Sequence, residues 1–323
     1  MKLHTPVCDL LGVRVPILNG AMTPQAGGAL ARAVSDAGGF GMLGLGQSEH
    51  ARSLREEIRL VRSGGRKNFG IGLVHWMVER RPELFDLALE AEPTLICVSF
   101  GDPAPYVERI HARGILAAAQ VQSRALAQIA LDAGVDILIA QGTEAGGHTG
   151  AVGTLPLLQI VLDLTERPVL AAGGIVTGRG VAAVLAAGAA GVWIGTPFLL
   201  AKESRSDARA QAAIVASDET QTIRTSLYDR LGQTGWTPEF AGRALRNPFT
   251  ERWSGKEEEA LATPSAARAY ERAKAEGDYA TAHIYAGQSV GMLDRIRPAR
   301  DILDELERDA IARLQAVVHT LEA

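Results

Sequence analysis

The chemistry this chain can do starts with one histidine. His148 stands in AQGTEAGGHTG (140–150), a glycine-rich stretch that follows an apolar run. An imidazole changes charge near neutral pH, so it can act as a general base or acid. Gly146, Gly147 and Gly150 let the loop fold over a ligand with little obstruction, which leaves the imidazole to reach a reacting atom. The plain alternative is a surface-loop histidine. His75, directly after another apolar run, is the second choice for ligand contact, with Trp76 and Met77 beside it as pocket wall or core. His111 and His319 fall on helical patterns, and His50 stands beyond the loop that follows the second apolar run.

Much catalytic equipment is missing. No GxSxG elbow occurs, no strand end carries a lysine suited to a Schiff base, and no His/Cys/Asp cluster has metal spacing, so no metal is expected. The polar groups near strand ends are amides (Asn19, Gln120, Gln122, Gln141) and hydroxyls (Ser99, Thr196). Amides can hold a heteroaromatic ring that offers both donors and acceptors. That combination points to a cofactor that carries the hard chemistry.

The elements that must position these groups are eight short apolar runs at 15–19, 40–44, 69–74, 94–99, 115–120, 136–140, 168–172 and 191–195. They are continuously apolar rather than alternating, as strands covered on both faces are. Helical patterns lie between them; those at 27–38, 123–134 and 178–188 end in glycine, a C-cap signal. Eight such units in a row predict an α/β fold, a (β/α)₈ TIM barrel over 1–204, with a doubly wound open sheet as the alternative. In a barrel the active site sits at the C-terminal strand ends, and phosphate binds in the loops after the last two strands. Here those loops carry Ala172, Gly173 and Gly174, then Gly195 and Thr196. Glycine lets the backbone come close to a phosphate.

After residue 204 the chain grows richer in charge. Residues 205–290 read as a small, mostly helical lid or side subdomain emerging after the eighth strand. Residues 291–323 end in an amphipathic helix, with Ile302, Leu303, Leu306, Ile311, Leu314 and Val317 near one face, expected to pack back on the barrel. Hydrophobic content is 47%, charged content 22% and net charge −4, which gives no reason to expect nucleic acid or an anionic membrane as partner. Cys8 and Cys97 lie far apart, no apolar run reaches the length of a membrane span, and no secretory leader is evident. The expectation is a cytoplasmic protein; a homodimer is compatible with the sequence.

The segments PILNGAM, AQGTEAGGHTG, PVLAAGGIVTGRGVAAVLAAGAAGVWIGTPFLLAKES and AGQSVGML resemble the nitronate monooxygenase family, over nearly the whole chain from Pro16 to Leu293. The flavin-dependent enoyl-acyl-carrier-protein reductase II group shares these segments. The resemblance implies a (β/α)₈ barrel binding FMN, with a small subdomain over its mouth. It implies that Asn19, Gly20, Ala21 and Met22 lie along the isoalloxazine and that Gln120, Gln141, Gly146 and Gly147 also line it. Ala172, Gly173, Gly174, Gly195 and Thr196 would hold the phosphate side, and Gln288 and Ser289 would approach the ring. His148 matches the family's catalytic histidine. Gly72 and Gln120 stand where some relatives have Asn and Lys; this removes a positive charge near the flavin and bears on redox potential and substrate range. The implied reaction is oxidation of nitronates or nitroalkanes by O₂ to a carbonyl compound and nitrite. The alternative is an NAD(P)H-dependent reductase of enoyl thioesters or quinones.

Overall fold

A computed structural model describes residues 2–46, 51–63 and 68–322; His50 lies outside the described residues. All eight expected strands form. They are β1 (Ile17–Asn19), β2 (Gly41–Gly44), β3 (Phe69–Val74), β4 (Leu95–Ser99), β5 (Leu116–Val121), β6 (Ile137–Gln141), β8 (Val169–Ala172) and β9 (Gly191–Ile194). A further short strand, β7 (Gly147–His148), falls between β6 and β8. The eight are parallel neighbours in the order β1-β9-β8-β6-β5-β4-β3-β2. A parallel bridge from Leu18 to Phe40 joins the two edges, so the sheet closes. Asn19 seals this seam. Its side-chain amide donates to Met42 O (2.9 Å) and its Oδ1 accepts from Met42 N–H (2.8 Å), replacing ladder bonds that the short β1 cannot supply.

Strand periodicity sets which side chains fill the barrel. Leu18, Met42, Leu95, Cys97, Ala118, Ile137, Ile139, Leu170, Ala172 and Trp193 form one inner cluster, and the helix Pro6–Leu11 plugs its base with Val7 and Leu11. The outward-facing set packs under the helices as a second, larger cluster. Expected helix ends hold: Gly28–Ala37 stops at Gly38 with φ +100, and Arg124–Asp132 starts where the Ser123 side chain accepts from Leu126 N–H. The helix Ala299–Glu322 lays Ile302, Leu303, Leu306 and Ala310 into the same outer core, whereas Val317 is exposed.

The segment after β9 carries the helices Ala208–Val215, Leu227–Gly232, Pro248–Trp253, Glu257–Leu261 and Pro264–Glu276. It also holds β10 (Thr222–Thr225) and β11 (Gly242–Leu245), which the sequence reading does not contain. β10 and β11 pair antiparallel, and β11 pairs with β7, with Gly242 opposite His148. This hairpin ties the segment to the barrel mouth.

Candidate active site

A cavity of about 590 Å³ opens at the C-terminal strand ends. Its floor follows from the inner face of each strand. Two residues beyond Leu18, Ala118, Ile139, Leu170 and Trp193 stand Gly20, Gln120, Gln141, Ala172 and Gly195, and all of them line it. The buried Gln122 donates from Nε2 to Gln141 Oε1 (2.9 Å) and so fixes that amide.

The glycine loops form one side. Gly173 and Gly174 have φ of +101° and +71°, which turns the backbone toward the cavity in a conformation that suits glycine. The Glu144 carboxylate pins the preceding loop by accepting from Thr154 N–H (2.9 Å) and the Thr154 hydroxyl (2.9 Å). A strap from 287 to 289 closes this side. Gly287 N–H donates to the Thr196 hydroxyl (3.0 Å), Gln288 N–H to Glu144 O (2.9 Å), and the Ser289 hydroxyl to Gly174 O (2.8 Å).

Space for a flavin can be tested on the bare backbone. A Cβ at Gly147 would meet nothing within 4 Å, and one at Gly195 would meet only Met22 Sδ at 3.4 Å. Among the described lining residues there is no arginine, and Lys274 is paired with Glu271 (2.9 Å). A phosphate at the glycine loops would therefore be held by N–H groups. A flat polar ring with such a tail fits these walls, so the residues present fit the group.

His148 is built in from both sides. Arg243 and Arg224 stand opposite each other on β11 and β10. Arg243 Nε donates to Thr143 O (2.8 Å), and Arg224 Nη2 donates to Thr149 O (2.9 Å), so the two guanidinium groups clamp the loop around His148. Burial pulls both below the usual arginine range. His148 Nε2 lies 2.9 Å from Asp229 Oδ1, and the two side chains are only 10% and 4% exposed. The Thr234 hydroxyl donates to the same oxygen (3.0 Å). Trp236 stacks flat on the imidazole, with centroids 3.7 Å apart and planes 8° apart. A carboxylate accepts only, so Nε2 carries a proton and donates it to the hydrogen bond with Asp229, which leaves Nδ1 as the ring nitrogen open to a ligand. The site therefore holds the imidazole in one plane with Nε2 committed.

Fourteen of the expected site residues meet at this cavity: His148, Gly20, Ala21, Met22, Gln120, Gln141, Gly146, Gly147, Ala172, Gly173, Gly174, Gly195, Thr196 and Ser289. Asn19, Gly72 and Gln288 sit off the wall. Asn19 is spent on the seam. Gly72 faces Ala21, whose methyl would lie 2.3 Å from a Cβ there. Gln288 is exposed. His75 turns toward Tyr106 and Glu79, while Trp76 and Met77 take the wall. The reading from sequence missed Asp229, Thr234, Trp236, Tyr270 and Tyr285 and gave His283 no role; all six line the cavity. Among the described residues no group of three His, Cys, Asp or Glu side chains is placed to hold a metal, and no helix is long and apolar enough to cross a membrane. A second cleft of about 770 Å³, between Arg14 and the C-terminal helix, contains none of the expected site residues, and Arg14 is ion-paired there with Asp304 and Glu307.

Comparison with known proteins settles the family. The family model described as nitronate monooxygenase matches residues 76–309. The chain belongs to the nitronate monooxygenase family. It is an enzyme, a flavin-dependent oxidoreductase of the nitronate monooxygenase type. A protein of Mycobacterium tuberculosis whose name assigns it a monooxygenase activity is 37% identical over 246 residues, 73% of this chain and 64% of its own length. This chain thus spans just under two thirds of that relative. A nitronate monooxygenase of Neurospora crassa is 28% identical, covering 93% of this chain and 90% of its own. Among solved structures, FabK from Thermotoga maritima has a TM-score of 0.86 at 31% identity, covering 99% of this chain and 100% of that one. FabK from Thermotoga maritima thus shares the closed barrel described above.

Proposed function

We propose that the protein binds FMN and oxidises alkyl nitronates and nitroalkanes with dioxygen to a carbonyl compound and nitrite, with His148 as general base. The observation that carries this reading is the His148 imidazole, fixed by Asp229 and Trp236 on the wall of a glycine-bared cavity. When bound, the flavin supplies the electron acceptor and the place where dioxygen is reduced. Gly173, Gly174, Gly195 and Thr196 hold its phosphate through backbone N–H groups, and Gln120 and Gln141 face its ring. His148 Nδ1 takes the proton from the carbon next to a nitro group. Asp229 keeps Nε2 protonated and steadies the imidazolium that forms. A preformed nitronate has already lost that proton. Replacing His148→Asn is therefore expected to cut nitroalkane turnover by roughly 10²–10⁴-fold and nitronate turnover far less. An oxygen electrode measures both; equal loss on the two would remove the base role.

A second reading is an NAD(P)H-dependent reductase of enoyl thioesters or quinones. The 31% identity to FabK over almost the whole chain favours it. Anaerobic mixing of the holoenzyme with NADPH separates the two readings. Rapid bleaching of the flavin supports the reductase, and bleaching only by a nitronate supports the oxidation.

A further inference from the structure

We propose that His283, held by Tyr270, is a second ligand-facing imidazole that donates a hydrogen bond to a substrate oxygen while His148 takes the proton from the adjoining carbon. This rests on the reading of the cavity as the substrate site. The argument begins with Tyr270, which is 1% exposed, so its hydroxyl proton needs an acceptor inside the protein. His283 Nδ1, 2.9 Å away, is that acceptor. With the Nδ1 lone pair so used, the ring proton of the neutral imidazole is on Nε2. His283 lines the cavity, and with Nδ1 engaged by Tyr270 its Nε2 is the ring nitrogen left for a ligand.

The ring of Tyr285 stands between the two histidines, 4.4 Å from His283 and 5.4 Å from His148 between centroids. The two imidazoles present opposite faces of the same chemistry. His148 donates its Nε2–H to Asp229 and leaves Nδ1 for the cavity; His283 accepts from the Tyr270 hydroxyl at Nδ1 and leaves an Nε2–H for the cavity. Burial pushes His283 down to about 4, with the nearby His148 and Lys274 pushing the same way and Asp229 opposing. The ring therefore stays neutral at working pH. A neutral donor can polarise an oxygen without protonating the anion that His148 creates. A base beside a neutral donor suits one class of molecule: an acidic C–H bond next to an oxygen that accepts hydrogen bonds, as in a nitroalkane or an α,β-unsaturated thioester.

The test is equilibrium binding to the holoenzyme, followed by the flavin's visible spectrum in the His148→Asn background, where turnover is suppressed. The Kd of 1-nitropropane should rise about tenfold on adding His283→Leu, as for one lost hydrogen bond. His283→Gln, whose side-chain N–H₂ can replace Nε2–H, should stay within about threefold. Tyr270→Phe, which keeps the ring and frees the tautomer, should weaken binding about threefold even if the leucine variant fails to fold. An unchanged Kd in both His283→Leu and Tyr270→Phe, or glutamine as weak as leucine, would overturn the inference. The same series is run with a crotonyl thioester of N-acetylcysteamine. Binding of only the thioester removes the nitro substrate and leaves His283 to be judged on that probe. Binding of neither probe to the parent enzyme overturns His283 as a substrate ligand.

Discussion

The barrel below its strand ends and the roof above them are built on opposite principles. Inside the barrel, Leu18, Met42, Ile137, Ile139 and Leu170 pack with no exposed surface, and the thiol of Cys97, pushed up to about 11 by burial, does not ionise at working pH. Above it, the roof puts Asp229, Tyr270, His283 and Tyr285 against one cavity: Asp229 meets His148, the Tyr270 hydroxyl meets His283, and the Tyr285 ring packs on His283. The barrel supplies position and bare backbone. The roof supplies the groups that fix proton positions. The difference places tolerance to change in different halves: the barrel answers to volume, the roof to hydrogen-bond direction.

The largest effect that would break this division comes from Asp229→Asn. The shape is kept, but an amide can donate to Nε2 and move the imidazole proton to Nδ1, the atom assigned as base. Nitroalkane turnover should fall by roughly 10²–10⁴-fold, while the melting temperature and nitronate turnover change little. Turnover within fivefold of the parent, measured on an oxygen electrode, would return Asp229 to a purely structural role.

The same division explains what could be read from the amino acids. Continuous apolar runs such as ICVS and ILIA disclose a strand covered on both faces, and the glycines after β8 and β9 disclose close backbone approach. The partners of His148 leave no such trace. Asp229 lies 81 residues away in sequence. It sits on a six-residue helix whose local pattern looks like any surface turn. The strands TIRT and GRAL are too short and too polar to show alternation, so the hairpin carrying Arg224 and Arg243 is invisible until β7 pairs with it. Asn19 has the right residue type at the right strand end, yet the closing of the β1–β2 seam claims it. One signal was available: His283 and Tyr285 alternate at i and i+2, the spacing that sends two side chains to one side of an extended segment.

Acid offers the next sharpest separation. Unfolded, His283 takes up a proton near 6.5; folded, it resists until about 4. As pH falls between those values the unfolded state gains protons that the folded state does not, so stability is lost, by at most about 3 kcal/mol. The stability is fully present above pH 6.5 and declines toward pH 4. Urea melts at pH 7 and 4.5 should therefore show a smaller acid loss for His283→Leu than for the parent. Parallel losses in the two proteins would mean that the roof does not hold this imidazole neutral.

The smallest effects come from one substitution made in both halves. At Gly41 a Cβ would lie 1.9 Å from Ala31 O and 2.7 Å from Ser35 Oγ, so Gly41→Ala must move a helix against a strand. It should cost about 1–3 kcal/mol and leave the nitroalkane-to-nitronate activity ratio alone. At Gly147 the same methyl meets nothing within 4 Å, but the backbone holds φ +75. Gly147→Ala should cost about 1–2 kcal/mol through that conformation alone. It also sets a methyl beside the imidazole, so its KM should rise while that of Gly41→Ala does not. If chemical denaturation and kinetics give the two variants the same profile, volume and direction are not divided between barrel and roof. If they differ in this way, the glycine before His148 is kept for the space it leaves as much as for the turn it makes.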